Sequence, residues 1–217
     1  LAIFGGRGSG MLVADTVRRM AATSEPIEIL GFLNDLEPAG HLFGKTPVIG
    51  SFEKWTELDD DVCFIAPLHK VGEMIDRLER IETLKLPTSR WRSVVDPTAI
   101  FFGGVELGSG CFVAAFSVTK SSVRIGHHVA IRDHASIGHD TIIEDFVFVG
   151  TGARIGGYCH LERGAYIGTG AMIREHLRLG AFATVGMGAV VVDDVPDGAT
   201  VVGNPARQIK ASSRRDK

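Results

Sequence analysis

The chain has 217 residues, of which 45% are hydrophobic and 23% charged, and a formal net charge of −3. That size and balance suit one large or two small globular domains and offer no general electrostatic attraction for nucleic acid or an anionic membrane. No apolar run approaches the roughly 20 residues that span a bilayer; the opening Leu1-Ala2-Ile3-Phe4 carries no basic leader, so a cytoplasmic location is expected.

Residues 1–90 alternate strand and helix patterns. Leu1–Phe4 reads as an apolar strand, followed by the glycine cluster Gly5-Gly6-Arg7-Gly8-Ser9-Gly10 and a helix from Met11 to about Ala22. Ile27–Leu33 and Asp61–Ala66 read as further strands, and Val71–Leu84 as a helix with Ile75, Leu78 and Ile81 on one face. A βαβ order of this kind predicts a small Rossmann-like parallel sheet with helices packed on it. Pro87-Thr88-Ser89 punctuates the junction to a strand at Val94-Val95.

Residues 91–210 follow a different rule, and 211–217 form a charged tail. From Leu107 to Val191 every sixth residue is aliphatic except Thr119, often followed by glycine, and the position four after it is usually small. Neither a 3.6-residue nor a 2-residue period explains this, whereas a parallel β-helix does. Three hexads per turn make coils of 18 residues, about five in all, so residues 18 apart are neighbours on one face. Cys111 and Cys159 fall in the small column and Cys63 in an apolar run, which reads as buried thiols in a reducing compartment.

His139 lies two residues after Ile137, pointing out from a wall of the prism, and Asp140 follows it. A histidine with an ordinary pKa near 6.5 is largely neutral at cytoplasmic pH, and an adjacent carboxylate orients its ring. One coil on stands Gly157, which leaves room for a thin acyl donor beside the imidazole. The cluster Gly5–Gly10 opens a helix and can hold phosphate, with Asp35 placed to meet a ribose or base, although the spacing is not G-x-G-x-x-G. His134 and His139 have the spacing of the zinc-binding prism carbonic anhydrases, but Asp96-Pro97-Thr98-Ala99 holds no third histidine, so no metal is expected.

With both halves in view, the chain resembles the hexapeptide-repeat sugar acyltransferases: the bacillosamine and perosamine N-acetyltransferases and the sialic acid O-acetyltransferase-like group. The likeness rests on Leu1–Gly10, Phe32-Leu33-Asn34-Asp35, Ser136-Ile137-Gly138-His139-Asp140, Phe146–Ala153 and Val202-Gly203-Asn204-Pro205-Ala206-Arg207. It implies a left-handed β-helix, a homotrimer with active sites between subunits, acetyl-CoA as co-substrate and a nucleotide-linked 4-amino-4,6-dideoxy sugar as acceptor. By the same resemblance His139 is the general base and Asp140 its partner, where relatives typically carry glutamate. Phe148, Gly157, Thr169 and Met187 match coenzyme A positions; Arg7, Gly8, Ser9, Asn34 and Asp35 match nucleotide-sugar positions.

Three residues depart from the family pattern: Phe148 and Ser9 stand where histidine is usual, and Pro67-Leu68-His69 replaces a Gly-Asn. Phenylalanine donates no hydrogen bond, so any contact to the thioester carbonyl must come from elsewhere. The alternatives left open are sugar O-acetylation and a non-catalytic trimeric scaffold.

Overall fold

The computed structural model describes residues 1–21 and 27–209. Ala22, at the expected end of the first helix, and the charged tail 211–217 lie outside the described residues.

The N-terminal sheet is built from β1 (Ala2–Phe4), β2 (Gly31–Leu33), β3 (Leu42–Phe43), β4 (Thr46–Gly50) and β5 (Phe64–Ile65), in the order β3-β4-β2-β1-β5. All neighbours run parallel except the hairpin β3–β4. The strands are shorter than the apolar runs suggest, and the hairpin is additional to them. The first helix, α1 (Ser9–Met20), begins inside the glycine cluster. The second, α2 (Met74–Glu82), buries Met74, Leu78 and Ile81, while Ile75 is exposed. Met74, Leu78 and Ile81 follow the i, i+4, i+7 spacing, so Met74 takes the core position assigned to Ile75 from the sequence.

From Val94 the chain winds into a left-handed parallel β-helix with three flat faces. The first face stacks Ile100–Phe101, Val118–Thr119, Ser136–Ile137, Arg154–Ile155, Met172–Ile173 and Val190–Val191. The second runs from Glu106–Leu107 to Arg178–Leu179, and the third from Val94–Val95 to Thr200–Val202, capped by antiparallel Arg207–Ile209. Rungs pair with the residue 18 on, as in Ser136↔Arg154 and Ile142↔His160, until the last, where Thr184 pairs with Thr200. The aliphatic and small columns meet inside: Ile131, Ile137, Ile143, Val149, Leu161 and Ile167 are fully buried. Cys111 and Cys159 are buried, whereas Cys63 is half-exposed.

The N-terminal domain lies over the third face. Phe112 and Ala114 join the core beneath α1, and Phe146, Phe148, Tyr166 and Phe182 pack against the side that carries α2. Arg19 pairs with the buried Asp96, whose Oδ1 also accepts from the amide and hydroxyl of Thr98 at 2.9 and 2.7 Å. Burial alone would raise the Asp96 carboxyl; Thr98 and Arg19 more than offset it and hold the group below its ordinary value. His69 stacks on Phe146 with ring centroids 4.3 Å apart, and its Nε2 meets the His128 carbonyl at 2.9 Å.

Two predictions follow from buried polar groups. Thr119 Oγ1 is buried in the aliphatic column without a hydrogen-bond partner. Such an orphan costs about 1–3 kcal/mol, so the near-isosteric Thr119→Val should raise the melting temperature; a lower one would contradict the packing. Burial pushes the imidazoles of His69 and His128 down to about 3 and about 4. Both are neutral in the fold, and the unfolded chain takes up their protons below about pH 6.5. Their contribution to stability is therefore complete above that pH and falls as acid is added towards pH 4. His69→Gln, which keeps a donor for the His128 carbonyl but does not titrate, should flatten this slope in thermal melts; an unchanged slope would exclude His69.

Candidate active site

His139 and Asp140 do not stand on a wall of the prism. They form the corner between the first and second faces, after Ser136–Ile137 and before Ile142–Ile143. Two residues past the inward Ile137 the chain has already begun to turn, so the corner, not the flat face, carries the imidazole. Asp140 holds the turn with φ +56°, a left-handed conformation that Asp tolerates better than most residues. Its Oδ2 lies 2.8 Å from His139 Nδ1. With the carboxylate as acceptor, Nδ1 carries the proton and Nε2 is left with its lone pair free.

Nε2 faces the next coil. A Cβ built on Gly157 would sit 3.0 Å from Nε2 and 3.1 Å from Cε1, so glycine is what keeps this side of the ring open. The following corner residues close the site on one side. Tyr158 meets the His139 ring edge-on at 4.9 Å, and His176 stacks on Tyr158 at 4.8 Å. Both have positive φ, 58° and 61°. Their side chains were missed in the sequence although they stand 18 and 36 residues after Asp140, where the stacking rule reaches them.

Thr169 and Met187 occupy another corner, between the third and first faces. They are successive rungs, joined by the Gly188 amide donating to the Thr169 carbonyl at 2.9 Å, and Met187 is 80% exposed. Within one chain they lie across the first face from His139 and do not share its corner. Phe148 is on the third face under the N-terminal domain, stacked on Tyr166 at 4.6 Å and tilted against His69 at 5.8 Å.

A second concavity, about 300 Å³, opens where the glycine cluster meets β2. Arg7, Ser9 and Asn34 line it, together with Glu37, His69, Lys70 and Arg77. Asn34 works structurally: its amide donates to the Gly5 carbonyl, and its Oδ1 accepts from the Leu36 and Glu37 amides. Gly8 precedes α1 with φ +69°. Asp35 departs from expectation. Its Oδ1 accepts from the Phe52 amide at 2.7 Å, its Oδ2 pairs with Arg80, and it is not on the cavity wall. Glu37, 3.7 Å from Arg7, is the carboxylate that faces the cavity. No group of three or more His, Cys, Asp or Glu suited to a metal ion occurs among the described residues.

A coiled prism with an imidazole exposed over a glycine, joined to a glycine-loop α/β domain, is the architecture of the hexapeptide-repeat acyltransferases. No family model matches the chain. Over 125 residues it is 37% identical to the GDP-perosamine N-acetyltransferase of Escherichia coli O157:H7, a match spanning 55% of this chain and 57% of that enzyme. WeeI from Acinetobacter baumannii AYE superposes with TM-score 0.81 at 30% identity, covering 96% of this chain and 98% of its own. The acetyltransferase domain of PglB from Neisseria gonorrhoeae FA1090, solved with acetyl coenzyme A, gives TM-score 0.82 at 28% identity over the same shares. The chain belongs to the family of bacillosamine and perosamine sugar N-acetyltransferases.

Proposed function

We propose that this chain transfers the acetyl group of acetyl-CoA to the amino group of a nucleotide-linked amino sugar, a 4-amino-4,6-dideoxy sugar used in bacterial glycan synthesis. The observation that carries the reading is the His139 imidazole, held by Asp140 through Nδ1 and open at Nε2 over Gly157. The names of the relatives favour nitrogen over oxygen as the nucleophile.

The geometry suits general-base acyl transfer. The sugar nitrogen attacks the thioester carbonyl carbon; as the C–N bond forms, His139 Nε2 takes the proton that nitrogen sheds. The C–S bond breaks with its electron pair going to sulfur, and the imidazolium returns the proton to the thiolate. Asp140 stabilises the charged ring between these steps. Gly157 floors the channel for the acyl arm, and Thr169 and Met187 extend a donor-binding edge. Arg7, Ser9 and Asn34 line the glycine-loop cavity assigned to the nucleotide, Gly8 shapes the loop between Arg7 and Ser9 with its positive φ, and Glu37 replaces Asp35 as the carboxylate offered to ribose or base.

A homotrimer would complete the site. The third face is covered by the N-terminal domain and the second carries Glu106, Arg124, His160 and Arg178. The first face and its two corners hold the exposed Ile100, Phe116, Tyr158, Met172 and Met187. Packing first faces around a threefold axis buries this apolar strip. It also sets the His139 corner of one copy against the Thr169–Met187 corner of the next. No helix among the described residues is long and apolar enough to cross a membrane; the three free cysteines favour the reducing cytoplasm, where acetyl-CoA is made.

His139→Ala should lower kcat/KM by about 10²- to 10⁴-fold while leaving the melting temperature near that of wild type. A folded variant with the wild-type rate would sink the assignment. Gly157→Ala places a methyl against Nε2, and a displacement of about 1 Å can cost on the order of 10²-fold. Steady-state kinetics should show a loss of that order, and an unaltered kcat/KM would mean the acyl arm runs elsewhere.

A further inference from the structure

Arg132 lies within hydrogen-bond reach of Ser9, on the wall of the glycine-loop cavity, and forms no ion pair among the described residues. It follows the third-face strand Ala130–Ile131 and runs beneath the N-terminal domain. The guanidinium carbon sits 5.7 Å from the Phe112 ring centroid and 6.0 Å from that of Phe148. Nη1 donates to Ser9 Oγ at 3.2 Å, while Nε is buried with no hydrogen-bond partner. Among the described residues no carboxylate forms an ion pair with it; the adjacent Asp133 instead accepts from Thr151 Oγ1 at 3.3 Å. Desolvation pushes the guanidinium below its usual pKa, and the nearby Asp133 carboxylate and Tyr166 offset this only in part.

The surroundings sharpen the imbalance. Ser9 is the first residue of α1, whose first turn has no acidic residue and whose N-cap supplies no side-chain bond. The positive end of a helix and a half-buried guanidinium therefore converge on one serine hydroxyl. The acids near the cavity are committed elsewhere, Glu37 with Arg7 and Glu73 with Lys70 and Arg77. Leaving a buried charge uncompensated is costly, so this arrangement is organised for an anion from outside.

Resting on the acyltransferase reading above, we propose that Arg132 is a specificity-determining residue for the acceptor, binding the diphosphate of a nucleoside diphosphate sugar as it passes from the glycine-loop cavity onto the coil. Phe112 and Phe148 flank the guanidinium, and its outer N–H groups are left to make paired N–H···O bonds to phosphate oxygens. Phe148 thereby serves as a platform for Arg132 at the position where relatives carry a hydrogen-bonding histidine.

The test is calorimetric titration of the full chain and of Arg132→Met and Arg132→Lys with UDP, GDP and dTDP and the matching monophosphates. Melting curves of the ligand-free proteins accompany it. Wild type should bind at least one diphosphate, and Arg132→Met should weaken it by about 10- to 10²-fold, the worth of hydrogen bonds to a charged group. The matching monophosphate should lose less, and Arg132→Lys should fall between. Ligand-free Arg132→Met should melt no lower than wild type, because it removes an unpaired charge and keeps the contact with the rings. Wild-type affinity in the Met variant, or a lower melting temperature of the ligand-free protein, would assign Arg132 to structure and overturn the proposal alone. Wild type binding none of the diphosphates would overturn the nucleotide-sugar reading along with it.

Discussion

The C-terminal half of this protein depends on one hydrogen-bond register, the parallel ladder that joins successive coils at residues 18 apart. The ladder satisfies the backbone of strands only two residues long, which could not stand alone. It also turns sequence spacing into position, so the chain carries three aligned columns of corners along one prism. A side chain at a corner is repeated against its neighbour one coil later; a missing side chain there is a gap of known place.

The proposed chemistry uses that regularity by breaking it. Corners favour left-handed backbone, where glycine is cheapest, as at Gly152 and Gly170. The corner of His139 instead carries Asp140, Tyr158 and His176 in that conformation, three side chains retained at backbone cost. Gly157 sits among them, where a Cβ would press on the imidazole at 3.0 Å. The proposed donor-binding edge at Thr169 and Met187 belongs to a different column, which makes the assembly of copies part of the proposed catalytic design. The N-terminal domain covers the third face through Arg19–Asp96, His69–Phe146 and Arg132–Ser9, and carries the proposed acceptor end.

Much of this was legible in the amino-acid order because the prism obeys an integer period. Gly157 beside His139 and Thr169 beside Met187 came from adding 18, and the inward columns came from the hexad. The failures have physical causes. Counting from an inward residue does not tell wall from corner, so His139 was placed on a flat face. Asp35 was expected in the nucleotide cavity because it ends a strand, yet its bonds go to the Phe52 amide and Arg80, partners 17 and 45 residues away that no local pattern reveals. The hairpin Leu42–Phe43/Thr46–Gly50 was missed because strands of two and five residues carry little alternation. Arg132 gave no signal at all, since only the tertiary contact with the N-terminal domain shows its guanidinium beside Ser9 with no ion pair among the described residues.

The most direct measurement is release of free thiol from acetyl-CoA by the purified full chain, offered UDP-, dTDP- and GDP-linked 4-amino sugars beside their 4-hydroxyl analogues. The account predicts thiol release with one of the amino sugars, in equal amount to the N-acetylated product, and little with its hydroxyl counterpart. Release only with a hydroxyl acceptor, or none above the hydrolytic background with any of them, would contradict it.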